Sequence, residues 1–250
     1  MTSAAHAFDR ATDYDRHATV QRDAADALAA RIATLPLPTA PRVLEIGCGT
    51  GFLGAALHPR LPGADWVMTD IAPAMIARAR TRFATTPGIR FAIMNGEAPD
   101  LAGPFDLICS SLAAQWFVNL PAALKRLFTL LAPGGQLAIA TLADGSLGEW
   151  RAAHEALGFA PGTPDYPSLE ALAATRPDGI IGHVAIAPIV AEYDDAAAFL
   201  RALKAIGAGT ARGDHRPLSP SALRAVMRRF EAGGTRVTYR IAQCIFERPA

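Results

Sequence analysis

Cysteine is scarce in this chain. Cys48, Cys109 and Cys244 are its three cysteines, and they lie far apart in the sequence. Three scattered thiols exclude a disulfide framework and a cysteine-rich zinc site, so we expect small buried side chains at all three positions. No apolar run reaches the roughly 18 residues that a membrane span requires. The stretch from Met1 to Arg22 is polar and charged, which argues against a secretory signal. These absences predict a cytoplasmic protein that does not enter a membrane.

An excess of one charge is also missing. The chain carries 24 Lys and Arg residues against 23 Asp and Glu residues, for a formal net charge of +1. Such a balance excludes a general electrostatic grip on nucleic acid. With 250 residues, of which 51% are hydrophobic, the chain is expected to fold as one domain with a sizeable core.

A glycine turn is the most informative feature that is present. The apolar run Val43–Ile46 is followed by Gly47, Gly49 and Gly51 at alternate positions, and then by a helical pattern. Glycine allows a sharp turn and a close approach of the backbone to a ligand, where a Cβ would collide. The helix behind the turn offers unpaired N–H groups. The segment therefore predicts a site for a nucleotide-like cofactor.

Two cofactor classes fit this turn. Residues 49–54 match the G-x-G-x-x-G pattern of dinucleotide sites, and Asp70 lies about 20 residues further on, as in a nicotinamide-dependent dehydrogenase. The glycine that adjoins the strand is Gly47, however, and Glu45 stands two residues before it. An acid at the end of the strand is unexpected beside a pyrophosphate. It suits a ligand that carries an ammonium group.

Apolar strand-like runs alternate with helical patterns up to residue 142. This order predicts an α/β fold with a doubly wound, mostly parallel sheet, whose ligands bind at the carboxyl ends of the strands. Glu45, Asp70, Glu97 and Ser110 are expected at those ends. The stretch 131–135 predicts a helix stop, and 9–33 a single N-terminal helix. We divide the single domain 1–250 into an N-terminal helical cap (1–41), a cofactor-binding core (42–142), a partly lid-forming substrate region (143–235) and a closing strand (236–250).

The stretch Val43–Leu53 resembles motif I of the class I S-adenosylmethionine-dependent methyltransferases. The resemblance implies a seven-stranded Rossmann-like sheet with an N-terminal helix and a small helical lid. It also implies that Glu45 holds the amino group of the cofactor, that Asp70 takes the ribose hydroxyls and that Glu97-Ala98 reaches the adenine. The full set of implied cofactor contacts is Tyr14, Gln21, Glu45, Gly47, Cys48, Gly49, Gly51, Asp70, Ile71, Met75, Gly96, Glu97, Ala98 and Ser110.

The flanking segments are similar to the malonyl-[acyl-carrier protein] O-methyltransferase family of biotin synthesis. The similar segments are 8–11, 14–18, 20–22, 110–116, 145–150 and 199–208. The resemblance implies methyl transfer from S-adenosylmethionine to the free carboxylate of a malonyl thioester, carried by acyl-carrier protein or by coenzyme A, with S-adenosylhomocysteine as product. A class I methyltransferase for another small carboxylic acid or a quinone-type molecule is the alternative. The oligomeric state stays open.

A carboxylate with a pKa near ~4 is already ionised at neutral pH, so this chemistry requires no general base and no metal. The resemblance places Tyr14, Gln115 and Trp116 beside the transferred methyl group. Arg201 and Lys204 lie three residues apart and so share a helix face. We expect these two cations to bind the acidic substrate.

Overall fold

The computed structural model describes residues 14–206 and 217–250. Within these ranges a seven-stranded sheet has the order β3-β2-β1-β4-β5-β7-β6. The strands are β1 (Arg42–Ile46), β2 (Asp65–Asp70), β3 (Ile89–Ile93), β4 (Phe105–Ser111), β5 (Leu131–Leu142), β6 (Ile181–Glu192) and β7 (Arg236–Glu247). All neighbouring pairs from β3 to β5 are parallel, and β7 runs antiparallel between β5 and β6. The predicted doubly wound, mostly parallel sheet is confirmed.

Helices cover both faces of this sheet. They are α1 (Tyr14–His17), α2 (Thr19–Ile32), α3 (Phe52–Leu57), α4 (Pro73–Arg82), α5 (Leu120–Thr129), α6 (Gly148–Glu155), α7 (Leu169–Ala174), α8 (Ala196–Ala205) and α9 (Pro220–Ala232). Short 3-10 turns follow at His58–Arg60 and Ala114–Trp116. Side chains of Asn119, Ser168, Asp195 and Ser219 accept hydrogen bonds at the N-termini of α5, α7, α8 and α9, which fixes where these helices begin.

Alternation along the strands divides the core into two layers. In β1, Val43 packs into one layer, while Leu44 and Ile46 pack into the other. In β4, Leu107 and Ile108 separate in the same way. Successive side chains of a strand point to opposite faces, so strands that are covered on both faces read as continuous apolar runs.

The strand order reverses between β1 and β4. The chain passes from β1 outward to β2 and β3, and then returns to place β4 on the other side of β1. At such a switch point a crevice opens at the carboxyl ends of the two central strands. The glycine turn after β1 and the segment after β4 both emerge there.

Two local expectations are wrong. The N-terminal helix is broken at Ala18, whose ψ of 41° is not helical, so that α1 and α2 are separate; residues 9–13 lie outside the described ranges. The stretch 131–135 does not simply end a helix. Helix α5 ends at Thr129, and β5 begins at Leu131 with a register shift opposite Phe105 and Leu107, where Gly134 adopts a φ of +74°. The Pro-Gly-Gly sequence therefore forms an irregular strand start.

Pro188 lies in β6, which forms one edge of the sheet and pairs on one side with β7. Proline cannot donate a backbone hydrogen bond, and an edge strand tolerates that loss. In the described part of the chain, no helix is both long and apolar enough to cross a membrane.

Candidate active site

A cavity opens at the switch point and encloses about 960 Å³, including the space open to solvent. A cavity at such a switch point is typical of a small-molecule or cofactor site. Of the residues predicted from sequence, the following line it: Tyr14, Gln21, Glu45, Gly47, Cys48, Gly49, Asp70, Ile71, Met75, Gly96, Glu97 and Trp116. Gly51, Ala98, Ser110, Gln115, Arg201 and Lys204 lie outside this lining.

The glycine turn holds its shape through close backbone packing. Gly47 adopts a φ of +64°, and a Cβ placed on it would lie 2.3 Å from the Cβ of Ala113, in the segment after β4. Gly51 adopts a φ of +91° at the N-terminus of α3, and its Cβ would lie 2.6 Å from the ring of Phe83. Gly51 therefore allows the turn to form against a neighbouring ring, without lining the cavity itself.

Asp70 joins two loops at the floor of the cavity. Its Oδ2 accepts a hydrogen bond from the Gly49 N–H at 2.8 Å, and its Oδ1 accepts one from the Ala72 N–H at 2.8 Å. A carboxylate has about four acceptor positions and can serve several donors at once, as binding of ribose hydroxyls requires. The sequence signal for Asp70 was its position at the end of β2.

Glu45 is a buried carboxylate at the end of β1, and it lines the same cavity. Burial raises the pKa of this carboxyl to about 8. The indole of Trp66 and the N–H of Gly54 point toward the carboxylate and offset part of this rise, whereas the charge of Asp70 adds to it. Neither group completes a hydrogen bond to Oε2, which has no partner among the described residues. A buried acid of this kind is stabilised by a cation, and an ammonium group would supply one.

Tyr14 covers the cavity from α1. Its side chain packs against Ala72 and Met75, and its ring stacks on Phe52 with centroids 6.3 Å apart. Burial raises the pKa of the Tyr14 hydroxyl, with Asp70 and Asp15 adding to the effect, so this hydroxyl is a donor at neutral pH.

Arg82 fastens α1 to the glycine turn. Its guanidinium pairs with the Asp15 carboxylate at 2.5 Å, and its Nε donates to the Thr50 carbonyl at 2.6 Å. It also lies 4.9 Å from the centre of the Phe52 ring. Arg82, Asp15 and Phe52 were not predicted from sequence, because their meeting depends on the angle between α1 and α4.

The far side of the cavity is formed after β3. Met94, Asn95, Gly96 and Glu97 line it, and Phe117 closes it from the next loop. The Glu97 carboxylate accepts from the Asn119 N–H at 2.8 Å, so it also anchors the start of α5. The N–H of Ala98 donates to the Asn95 carbonyl, which places Ala98 inside the turn.

The exit of β4 differs from expectation. The hydroxyl of Ser110 donates to the Ile46 carbonyl at 2.8 Å, so it bonds between strands, whereas its neighbour Ser111 lines the cavity. Gln115 also turns away: its Nε2 donates to the Leu112 carbonyl at 2.8 Å. Trp116 lines the cavity.

The predicted substrate cations do not line this cavity. Arg201 and Lys204 are exposed on α8, where Arg201 lies 3.8 Å from Asp195. Helix α8 contacts α1, which covers the cavity, but neither cation is among the residues that line it. Among the described residues no group of three or more His, Cys, Asp or Glu side chains is arranged to hold a metal ion.

Taken together, these residues fit S-adenosylmethionine. Glu45 matches its ammonium group, and Asp70 matches its ribose. The pocket of Met94 to Glu97 offers a slot for the adenine ring. The three features follow one another along the ends of β1, β2 and β3, in the order in which they occur along the cofactor.

Comparisons with known proteins agree with this geometry. The family described as "Methyltransferase domain" matches residues 44–137. A malonyl-[acyl-carrier protein] O-methyltransferase of Magnetococcus marinus is 42% identical over 96% of this chain and 90% of its own length. A biotin biosynthesis bifunctional protein of Bordetella avium is 49% identical over 99% of this chain, and the chain spans about half (52%) of that protein.

Solved structures share the fold. The YcgJ protein of Bacillus subtilis superposes with a TM-score of 0.64 at 15% identity, covering 90% of this chain and 98% of the other. A protein of Bacillus halodurans assigned as a methyltransferase gives a TM-score of 0.63 at 12% identity, covering 90% of this chain and 99% of the other. The methyltransferase interpretation of the glycine turn is thereby confirmed over the dehydrogenase one. The chain belongs to the malonyl-[acyl-carrier protein] O-methyltransferase family, within the class I S-adenosylmethionine-dependent methyltransferases.

Proposed function

We propose that this methyltransferase esterifies the free carboxylate of malonyl-acyl carrier protein, as a step of biotin synthesis. The observation that carries the proposal is the similarity to the Magnetococcus relative, which extends over 96% of this chain and so includes the regions outside the cofactor site. A match confined to the glycine turn would support the methyl donor without naming the acceptor.

The chemistry is a single displacement. S-adenosylmethionine, when bound, supplies the methyl group on a sulfonium and leaves as neutral S-adenosylhomocysteine. A carboxylate oxygen of the malonyl group forms the new bond to the methyl carbon, and the electron pair of the broken carbon–sulfur bond stays on sulfur. No proton moves, because the acceptor is ionised at neutral pH.

The protein therefore contributes alignment and exclusion of water. Glu45 and Asp70 hold the two polar parts of the cofactor, and the glycine turn lets the backbone approach it. Tyr14 closes the cavity over them, and a shielded carboxylate is a stronger nucleophile than a hydrated one. Correct alignment of the reacting atoms supplies several kcal/mol of the barrier.

The carrier is proposed to approach over α8. Arg201 and Lys204 are exposed there, and α8 contacts the helix that covers the cavity. Acyl-carrier proteins are acidic, so these two exposed cations favour their docking and make it sensitive to salt.

Intact-protein mass spectrometry tests the proposal. Malonyl-acyl carrier protein, acetyl-acyl carrier protein and malonyl-coenzyme A are each incubated with the enzyme and S-adenosylmethionine. We expect one methyl group on the malonyl-protein species, a slower reaction of malonyl-coenzyme A and none of the acetyl species. Absence of methylation on the malonyl species, with S-adenosylhomocysteine binding intact, contradicts the proposal and directs the search to other small acids.

A further inference from the structure

The hydroxyl of Ser111 makes no hydrogen bond to the described part of the chain. It is buried and has no hydrogen-bond partner among the described residues, and Ser111 lines the cavity. Its neighbour Ser110 is fully engaged with the Ile46 carbonyl. A buried hydroxyl without a partner costs free energy, so its retention in a cavity points to a ligand that completes it.

The backbone beside Ser111 is strained. Leu112 adopts a φ of +52°, in the left-handed region that side chains other than glycine rarely occupy. Two hydrogen bonds hold it there: its N–H donates to the Ala140 carbonyl at 2.8 Å, and its carbonyl accepts from Gln115 at 2.8 Å. Thr141 donates in turn to the Gln115 side chain at 3.3 Å. Strain that is held by several contacts at a cavity wall indicates a functional demand on the geometry.

Ser111 occupies the part of the cavity that the cofactor contacts leave over. It is the last residue of β4, which pairs with β1 on the side away from β2 and β3, so it lies across Glu45 from the adenine slot. Trp116, which also lines the cavity, is in the segment that follows this strand. The acceptor must reach this side to meet the methyl group.

The described lining of the cavity holds no cationic side chain for the acceptor. Neither Lys nor Arg occurs among the described lining residues, and Ser111 adds an uncharged hydroxyl to that lining. A guanidinium paired with the attacking carboxylate would neutralise the negative charge of the carboxylate oxygens and make them weaker nucleophiles. A hydroxyl donor orients one carboxylate oxygen and leaves the other free to attack.

We propose that the Ser111 hydroxyl donates a hydrogen bond to the carboxylate of the methyl acceptor, and that Gln115 positions it through the Leu112 carbonyl. This inference rests on the proposed function, because it takes the acceptor to be a carboxylate. Ser111 then acts as a specificity residue that distinguishes malonyl from acetyl, and Arg201 and Lys204 serve the carrier rather than the carboxylate.

Adjacent serines provide a matched pair of variants. Ser111→Ala should lower kcat/KM for malonyl-acyl carrier protein by about 10- to 100-fold, since a hydrogen bond to a charged group is lost. Binding of S-adenosylhomocysteine should stay within about twofold of wild type. Ser110→Ala removes a bond between strands and should lower the melting temperature more than Ser111→Ala does, with a smaller loss of kcat/KM.

A binding measurement gives a readout that altered packing alone would not move. With S-adenosylhomocysteine present, wild type should bind malonyl-acyl carrier protein more tightly than acetyl-acyl carrier protein, and Ser111→Ala should bring the two dissociation constants together by weakening the malonyl species alone. If Ser111→Ala does not fold, Ser111→Cys keeps the shape with a weaker donor and should give a smaller loss in the same direction. Wild-type turnover separates the two proposals. If the wild-type enzyme does not methylate malonyl-acyl carrier protein, the proposed function is overturned. If Ser111→Ala or Ser111→Cys keeps full turnover and an unchanged preference for the malonyl species, this inference is overturned.

Discussion

Protons should leave Glu45 when the cofactor site is filled. In the ligand-free protein, burial raises the pKa of this carboxyl from 4.5 to about 8, so at pH 7 about nine-tenths of the molecules carry the proton. An ammonium group beside it favours the ionised form and brings the pKa down. Binding of S-adenosylhomocysteine at pH 7 is therefore expected to release close to one proton.

The same shift predicts a pH-dependent stability. The folded-state pKa lies above the unfolded one, so the unfolded chain loses its proton first as pH rises. Stability of the ligand-free protein is full below about pH 4.5 and falls until about pH 8, by up to about 5 kcal/mol from this one group. Glu45→Gln removes the titrating proton, so this part of the pH dependence should disappear.

Calorimetry in buffers of different ionisation enthalpy counts the released protons directly. We expect wild-type affinity for S-adenosylhomocysteine to rise by nearly tenfold per pH unit from pH 6 to 7, and Glu45→Gln to show weaker binding with no matching proton release. The variant should also melt at a higher temperature than wild type at pH 8 without ligand. Proton release that is absent in wild type, or unchanged in Glu45→Gln, refutes the assignment of Glu45 to the ammonium group.

Three further substitutions test the rest of the site. Asp70→Asn should weaken S-adenosylhomocysteine binding by about 1–3 kcal/mol in calorimetry, because the ribose loses a charged acceptor; unchanged affinity removes Asp70 from that role. Tyr14→Phe should lower the single-turnover methylation rate more than it weakens cofactor binding, and equal effects would reduce Tyr14 to packing. Arg82→Met removes the ion-pair partner of Asp15 in α1 and should weaken cofactor binding by up to about tenfold in low salt and by less in high salt. The control Arg90→Met, at an ion pair remote from the cavity, should leave cofactor binding unchanged.

The sequence alone was enough to predict the location of those acidic residues that stand at the ends of parallel strands. Glu45 and Asp70 lie near the ends of strands and Glu97 follows one, and parallel strands bring their carboxyl ends to one edge whatever the details of packing. The glycine turn constrains its own backbone, so its shape could be read locally. The similar segment 8–11, the end of 199–208 beyond Ile206 and their expected contacts lie outside the described residues.

The sequence could not predict which of two adjacent residues faces the cavity. Ser110 and Ser111 are the same residue type, so the sequence does not distinguish them. The left-handed turn at Leu112 determines which of them lines the cavity. Gln115 and Trp116 share one 3-10 turn and therefore point in different directions. The break at Ala18 was missed because alanine favours helix locally, and it is tertiary packing that separates α1 from α2.

The position of the transferred methyl group tests the account most directly. Methyl-13C S-adenosylmethionine is reacted with malonyl-acyl carrier protein, and the product is studied by NMR before and after mild alkaline hydrolysis. We expect the signal of a methyl carbon bound to an ester oxygen. Alkali should release this carbon as methanol. A label found on the α-carbon of the malonyl group, stable to alkali, would contradict carboxylate methylation.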